Sequence, residues 1–166
     1  MSRGKYWHLI LFFFFVLGGC NNSEKKVTAE TVKEEIKFVF DYSFLLNKNE
    51  KDSLNDLLNS INNSGQLEFL YCSVSNDEGL NVNLLVENYF DALKPNSDAS
   101  KRVLILISVK TRDFKIHLSP ELAEKISEDE LNSISEKLII DFGVNEFYEG
   151  LTSAFLQIHL LLMRPS

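Results

Sequence analysis

Three things are scarce in this chain: cysteine, clustered positive charge, and apolar runs long enough to cross a bilayer. There are two cysteines among 166 residues, Cys20 and Cys72, in unrelated contexts. No Cys-x-x-Cys string occurs, and no disulfide framework of the kind that staples small secreted folds is available. His8, His117 and His159 are scattered, so zinc-ligand spacing is absent as well. With 17 Lys+Arg against 24 Asp+Glu and no basic block, the chain lacks the electrostatic footprint of a nucleic-acid binder. It also lacks the polybasic patch that docks on anionic lipid. No Gly-x-Ser-x-Gly string marks a nucleophile elbow.

What is present begins at the N-terminus. Arg3 and Lys5 precede an uninterrupted apolar run from Leu9 to Leu17, followed by Gly18-Gly19-Cys20. A basic start, a short apolar stretch and small residues before a cut describe a secretory signal. Spanning a bilayer takes about 20 apolar residues, more than this run supplies. Leu17-Gly18-Gly19-Cys20 resembles the bacterial lipobox, in which the cysteine thiol is acylated and the chain is cut before it. The reading is a lipoprotein signal peptide over 1–19, with Cys20 as the lipidation site. A cysteine that carries more than one acyl chain anchors stably. Removing 1–19 leaves 147 residues with 15 basic and 24 acidic side chains, a net charge of −9. The expected location is the cell envelope, facing the periplasm. Asn21 after the cysteine, in place of aspartate, leans toward the outer membrane by the retention rule of enteric bacteria.

Residues 20–35 are polar and charged and read as a tether. A domain over 36–163 follows, long enough for one core. Ile36 to Tyr42 reads as a short strand. Asn47 to Asn63 predicts a helix with Leu54, Leu57, Leu58 and Ile61 on one face. Gln66 to Val74 is a second strand, and Leu80 to Leu93 a helix with Leu84, Leu85, Asn88 and Phe90 turned inward. Val103 to Val109 is nearly continuous and β-branched, as in a central strand covered on both faces. Lys110 to Asp113 turns the chain into a partner strand, Phe114 to Leu118. Ser119-Pro120-Glu121 opens a short helix. Ser127 with Glu130 forms a capping box for a helix ending at Phe142-Gly143, with Leu131, Ile134, Leu138 and Ile139 on one side. A last helix runs from Asn145 to Met163; its Leu160–Met163 end either packs on the domain or makes a sticky surface. Two β-α-β units and a hairpin predict an α/β fold: a three-layer α/β/α sandwich with a mixed sheet of about four strands.

Several strings, taken in order, resemble the TPM domain family over residues 38–160. They are Val39-Phe40-Asp41-Tyr42 with Leu45-Leu46, Lys48-Asn49-Glu50, Arg102-Val103-Leu104-Ile105-Leu106, Ser119 to Ala123 with Ile126 to Glu130, and Phe147-Tyr148-Glu149-Gly150-Leu151. That family includes an acid phosphatase, receptor accessory proteins and many bacterial envelope proteins. The resemblance therefore implies two functions: a binding or accessory module, or a divalent-cation-dependent phosphatase. Members with a proposed metal or phosphatase site often carry Asp-Asn-Gly before the central strand and Gly-Tyr-Gly-Leu-Glu after the hairpin. Here those positions read Ser100-Lys101-Arg102 and Ser119-Pro120-Glu121-Leu122-Ala123.

The remaining candidate ligands are carboxylates. Asp41, Asp77 and Glu78 follow strands, at the rim where open α/β sheets bind ligands, and with Asp98 they are candidates for a weak calcium or magnesium site. The alternative for Asp41 is to brace the turn after it. Lys101 and Arg102 are candidates for an acidic ligand. His117 is expected on the polar side of its strand, and Cys72 as a buried apolar residue. The expected role is a non-catalytic envelope lipoprotein, without a cofactor, held to the membrane by its lipid and working with another envelope protein.

Overall fold

The structure is a computed structural model, described here over residues 37–62, 67–75, 80–94 and 99–165. Its elements are β1 (Val39–Asp41), α1 (Lys48–Asn62), β2 (Leu67–Val74), α2 (Val82–Ala92), β3 (Lys101–Ser108), β4 (Asp113–Leu118), α3 (Pro120–Ala123), α4 (Glu128–Gly143) and α5 (Phe147–Leu162). The sheet order is β1-β2-β3-β4, parallel except for the β3–β4 hairpin. This is the mixed four-stranded sheet with helices on both faces that the pattern predicts.

Alternation along β2 assigns the layers. Phe69 stands edge-on to Phe155 of α5, so the odd positions of β2 face α1 and α5, and α4 packs beside α5. The even positions face α2. β3 follows the same rule: Val103, Ile105 and Ile107 turn to one layer, while Arg102 and Leu104 turn to α2. Val103 to Leu106 are 0% exposed, because β3 is flanked on both edges and covered on both faces. That burial is why its sequence is nearly continuous in apolar residues.

Capping chemistry fixes the helix starts. Asn47 Oδ1 accepts from the Glu50 N–H at 3.1 Å, and Glu50 Oε2 accepts from the Asn47 N–H at 2.8 Å. Ser127 and Glu130 make the same reciprocal pair at the start of α4, satisfying N–H groups that the first turn leaves open. Arg164 Nη1 then reaches Glu130 Oε1 at 2.7 Å, tying the end of α5 to the start of α4. That guanidinium and the cap hold the Glu130 carboxyl down at about 2.

Three placements differ from expectation, in α2, α4 and β4. The stripe α2 buries is Val82, Leu85 and Val86, continued by Tyr89 and Phe90, while Leu84 and Asn88 are exposed. In α4, Ile134 and Leu138 are buried but Ile139 faces solvent. The end of α5 divides, with Leu162 buried and Leu160 and Met163 exposed. His117 lies under α2, its ring 4.4 Å from that of Phe90, and burial pushes its pKa down. α4 ends at Gly143, as expected, and a turn over Asn145 closes it. Asn145 sits at φ 64° and donates to Phe142 O at 3.1 Å, and the Glu146 N–H reaches back to Asp141 O at 2.9 Å, the pair of bonds that closes a Schellman turn.

Candidate functional site: the carboxyl end of the sheet

β1 ends at Asp41, and the chain turns sharply to reach α1. The turn is organised by the Asp41 carboxylate, whose side chain is fully buried. Its Oδ1 accepts from the Leu45 N–H at 3.1 Å and the Ser73 hydroxyl at 2.6 Å, and its Oδ2 accepts from the Leu46 N–H at 3.1 Å. The Tyr71 hydroxyl adds a long contact at 3.5 Å, and Lys51 Nζ stands 3.7 Å from Oδ2. Ser73 Oγ in turn accepts from the Ser43 N–H at 3.1 Å. Register explains the convergence: Asp41 pairs with Ser73 and Val39 with Tyr71, so all these side chains point into one layer. Asp41 thus takes the bracing role; its lone pairs are aimed at groups of its own fold.

The brace holds Phe44 at φ 56° with its side chain turned out, the residue 84% exposed. A left-handed conformation costs an L-residue about 1–2 kcal/mol. Phe44→Gly is expected to raise stability by about 0.5–1 kcal/mol, after the larger entropy of an unfolded glycine is offset. Urea melts of the two proteins check this; a loss of stability would mean that the ring packs more than its exposure indicates.

The groups flanking the brace are inert. The free thiol of Cys72 lies on the α2 side of β2, and burial pushes it up to about 12, with Asp41 adding to the shift. It is protonated at neutral pH and so is no nucleophile. Burial likewise raises the Tyr71 hydroxyl.

Lys101 and Arg102 are not at this rim. Lys101 pairs in register with Leu67 at the start of β2, whereas Asp41 pairs with Ser73 near its end. About six residues of strand separate the two levels, roughly 20 Å. Arg102 is also occupied. Its Nη1 donates to Phe90 O at 2.7 Å and Leu93 O at 2.9 Å, closing the C-terminal end of α2, and its guanidinium lies 4.3 Å over the Phe90 ring. Lys101 pairs with Glu121 at 3.6 Å. Asp77, Glu78, Asp98 and Cys20 lie outside the described residues. Among the described residues no three His, Cys, Asp or Glu side chains converge as metal ligands.

Among the described residues, cavities open near this end of the sheet. One, of about 500 Å³, runs along the free edge of β1 between Phe40, Tyr42 and Phe44 and the α1 residues Lys51, Asp52 and Asp56. Another, of about 580 Å³, lies where β3 turns into β4, against the α4–α5 connection.

The TPM domain model matches residues 39–160, from β1 to within three residues of the end of α5. The chain belongs to the TPM domain family. Solved structures share the fold. The N-terminal domain of a protein from P. gingivalis superposes with a TM-score of 0.60 at 18% identity, covering 78% of this chain and 84% of that one. The BA42 protein of Bizionia argentinensis gives a TM-score of 0.59 at 18% identity, covering 73% and 83%. The N-terminal domain of the cg2496 protein of Corynebacterium glutamicum gives 0.58 at 10% identity, covering 78% and 84%. No curated protein sequence matches this chain. Within this TPM domain, sequence reasoning missed Ser73, whose tie to Asp41 spans 32 positions, and the load on Arg102.

Proposed function

We propose that this TPM domain is a non-catalytic binding or accessory module, carried on an envelope lipoprotein and held to its membrane through acylated Cys20. The observation that carries the non-catalytic reading is the state of Asp41. A phosphatase needs groups free to stabilise charge developing on phosphoryl oxygens, supplied by a metal or an arginine clamp. The carboxylate best placed for a metal is buried and spent on the β1–α1 turn, and Arg102 is spent on the end of α2. Hard cations need several converging oxygen ligands. The anchor reading is supported by the Leu17-Gly18-Gly19-Cys20 string. Another envelope protein is the expected partner, with outer-membrane placement favoured by Asn21.

Cys20→Ser tests the anchor. Acylation and cleavage should both stop, so that a metabolic lipid label no longer appears on the protein and its mass retains the first 19 residues. Label persisting on the variant would overturn the anchor. The catalytic alternative is tested on the full chain with a generic phosphomonoester, with and without magnesium or calcium. The expected result is hydrolysis no faster than the buffer blank; metal-dependent turnover would overturn the module reading.

A further inference from the structure

The cavity at the β3–β4 turn is built like a small-molecule site. Its volume of about 580 Å³ lies within the range of ligand pockets, about 300–1,000 Å³. Its walls include three half-buried rings, Phe114, Phe142 and Phe147, with centroid separations of 5.6 Å and 5.1 Å, together with Ile107 and Leu45. It sits beyond the carboxyl end of β3, the end at which open α/β sheets take ligands.

Backbone strain gathers at the same place. Among the described residues the non-glycine positions with positive φ are Phe44, Arg112 and Asn145. Arg112 and Asn145 line the cavity, and Phe44 adjoins Leu45, which does. Asn145 is accounted for by the Schellman turn. Arg112, at φ 54°, is not: the last position of a hairpin loop of this kind favours glycine, and an arginine there is held against its preference. Its guanidinium makes no ion pair among the described residues, and the neighbouring Asp113 carboxylate accepts from the Phe114 N–H at 2.8 Å. The mouth of an aromatic cavity thus carries a guanidinium that makes no ion pair among the described residues, beside the Asp113 carboxylate, which also lines it.

We infer that this cavity binds a small amphiphile with an acyl or aryl body and one carboxylate, the body lying against Phe114, Phe142 and Phe147 and the head meeting Arg112. The inference goes beyond the module reading and rests on it only in that the ligand is bound and not turned over.

The test is photolabelling of the full chain in phospholipid vesicles with a diazirine-bearing decanoate, with the matching decanol as the uncharged probe. Labelled peptides are mapped by mass spectrometry. Decanoate label should concentrate on 107–114 and 139–147 and be displaced by excess unlabelled decanoate. Arg112→Gly, which relieves the strained φ, should melt no lower than the parent and lose at least tenfold of that label. Decanol should label these peptides at least tenfold less in the parent and be unchanged in Arg112→Gly. Label scattered over the surface, or centred on the exposed Leu156–Met163 stripe, would overturn the inference, as would equal labelling by the two probes or an Arg112→Gly protein labelled like the parent. Phosphomonoester turnover by the same preparation would sink the module reading while leaving the labelling pattern to decide the cavity.

Discussion

Asp41→Asn is expected to lower stability by about 2–4 kcal/mol, an effect on folding with no catalytic counterpart. An amide keeps one acceptor oxygen and replaces the other with an NH2 donor. Whichever way it is turned, a donor then faces a donor: the Leu46 N–H on one side, or the Leu45 N–H and Ser73 hydroxyl on the other. The site is buried, so water cannot make up the lost bond. Asp52→Asn is the control. Asp52 is exposed and, among the described residues, pairs with exposed Lys48, so its loss should stay within about 0.5 kcal/mol. Ser73→Ala should fall between the two, at about 1–2 kcal/mol, because it removes one donor to Asp41 and the acceptor for the Ser43 N–H. Urea denaturation of the four proteins checks the order. If Asp41→Asn matched Asp52→Asn, the brace would not be what holds the turn.

Ile105→Asp is expected to abolish folding. Ile105 is 0% exposed at the middle of β3, paired with Tyr71 on one side and Ile116 on the other. A carboxylate there would have no counter-ion, and leaving a charge unpaired in a core costs several kcal/mol, comparable to the whole stability of a small domain. Loss of the cooperative unfolding transition is the expected readout. In the parent protein, amides of Leu104–Ile107 should be the slowest to exchange. Fast exchange across them would place β3 at an edge and contradict the sheet order.

Much of this architecture was legible because it is written in local chemistry. The Ser127–Glu130 capping box, the Leu54–Leu58 face of α1 and the continuous apolar run of β3 each announce themselves within a few residues. The inner face of α2 was harder. Leu84 is the more apolar-looking choice, but the stripe Val82, Leu85, Val86, Tyr89 has the better helical spacing, and packing on β3 and β4 selects it. Ile139 misleads for a similar reason: it adjoins buried Leu138 in sequence but lies about 100° round the helix from it.

The candidate site was legible only in part. Asp41 is visible as a carboxylate after a strand, and bracing a turn is one of the two roles open to such a residue. Which role it takes depends on Ser73 and Tyr71, brought alongside by parallel pairing across some 30 positions, and no local pattern encodes that. The strain at Phe44 and Arg112 is hidden for the opposite reason. Turn chemistry normally shows itself through glycine or asparagine, and here bulky residues occupy those conformations. Arg102 looks like a free cation in the string Ser100-Lys101-Arg102; only the return of α2 over the sheet shows that its guanidinium closes a helix end.

The most direct test of the account is a calcium titration of the full chain by calorimetry, paired with NMR observation of the Leu45 and Leu46 amides. With the Asp41 carboxylate committed to those two N–H groups, binding should be millimolar or weaker, in the range of sites with few charged ligands, and both amide resonances should stay in place. Micromolar binding that shifts the Leu45 and Leu46 amides and vanishes in Asp41→Asn would contradict the structural role of Asp41, and the non-catalytic reading would fall with it.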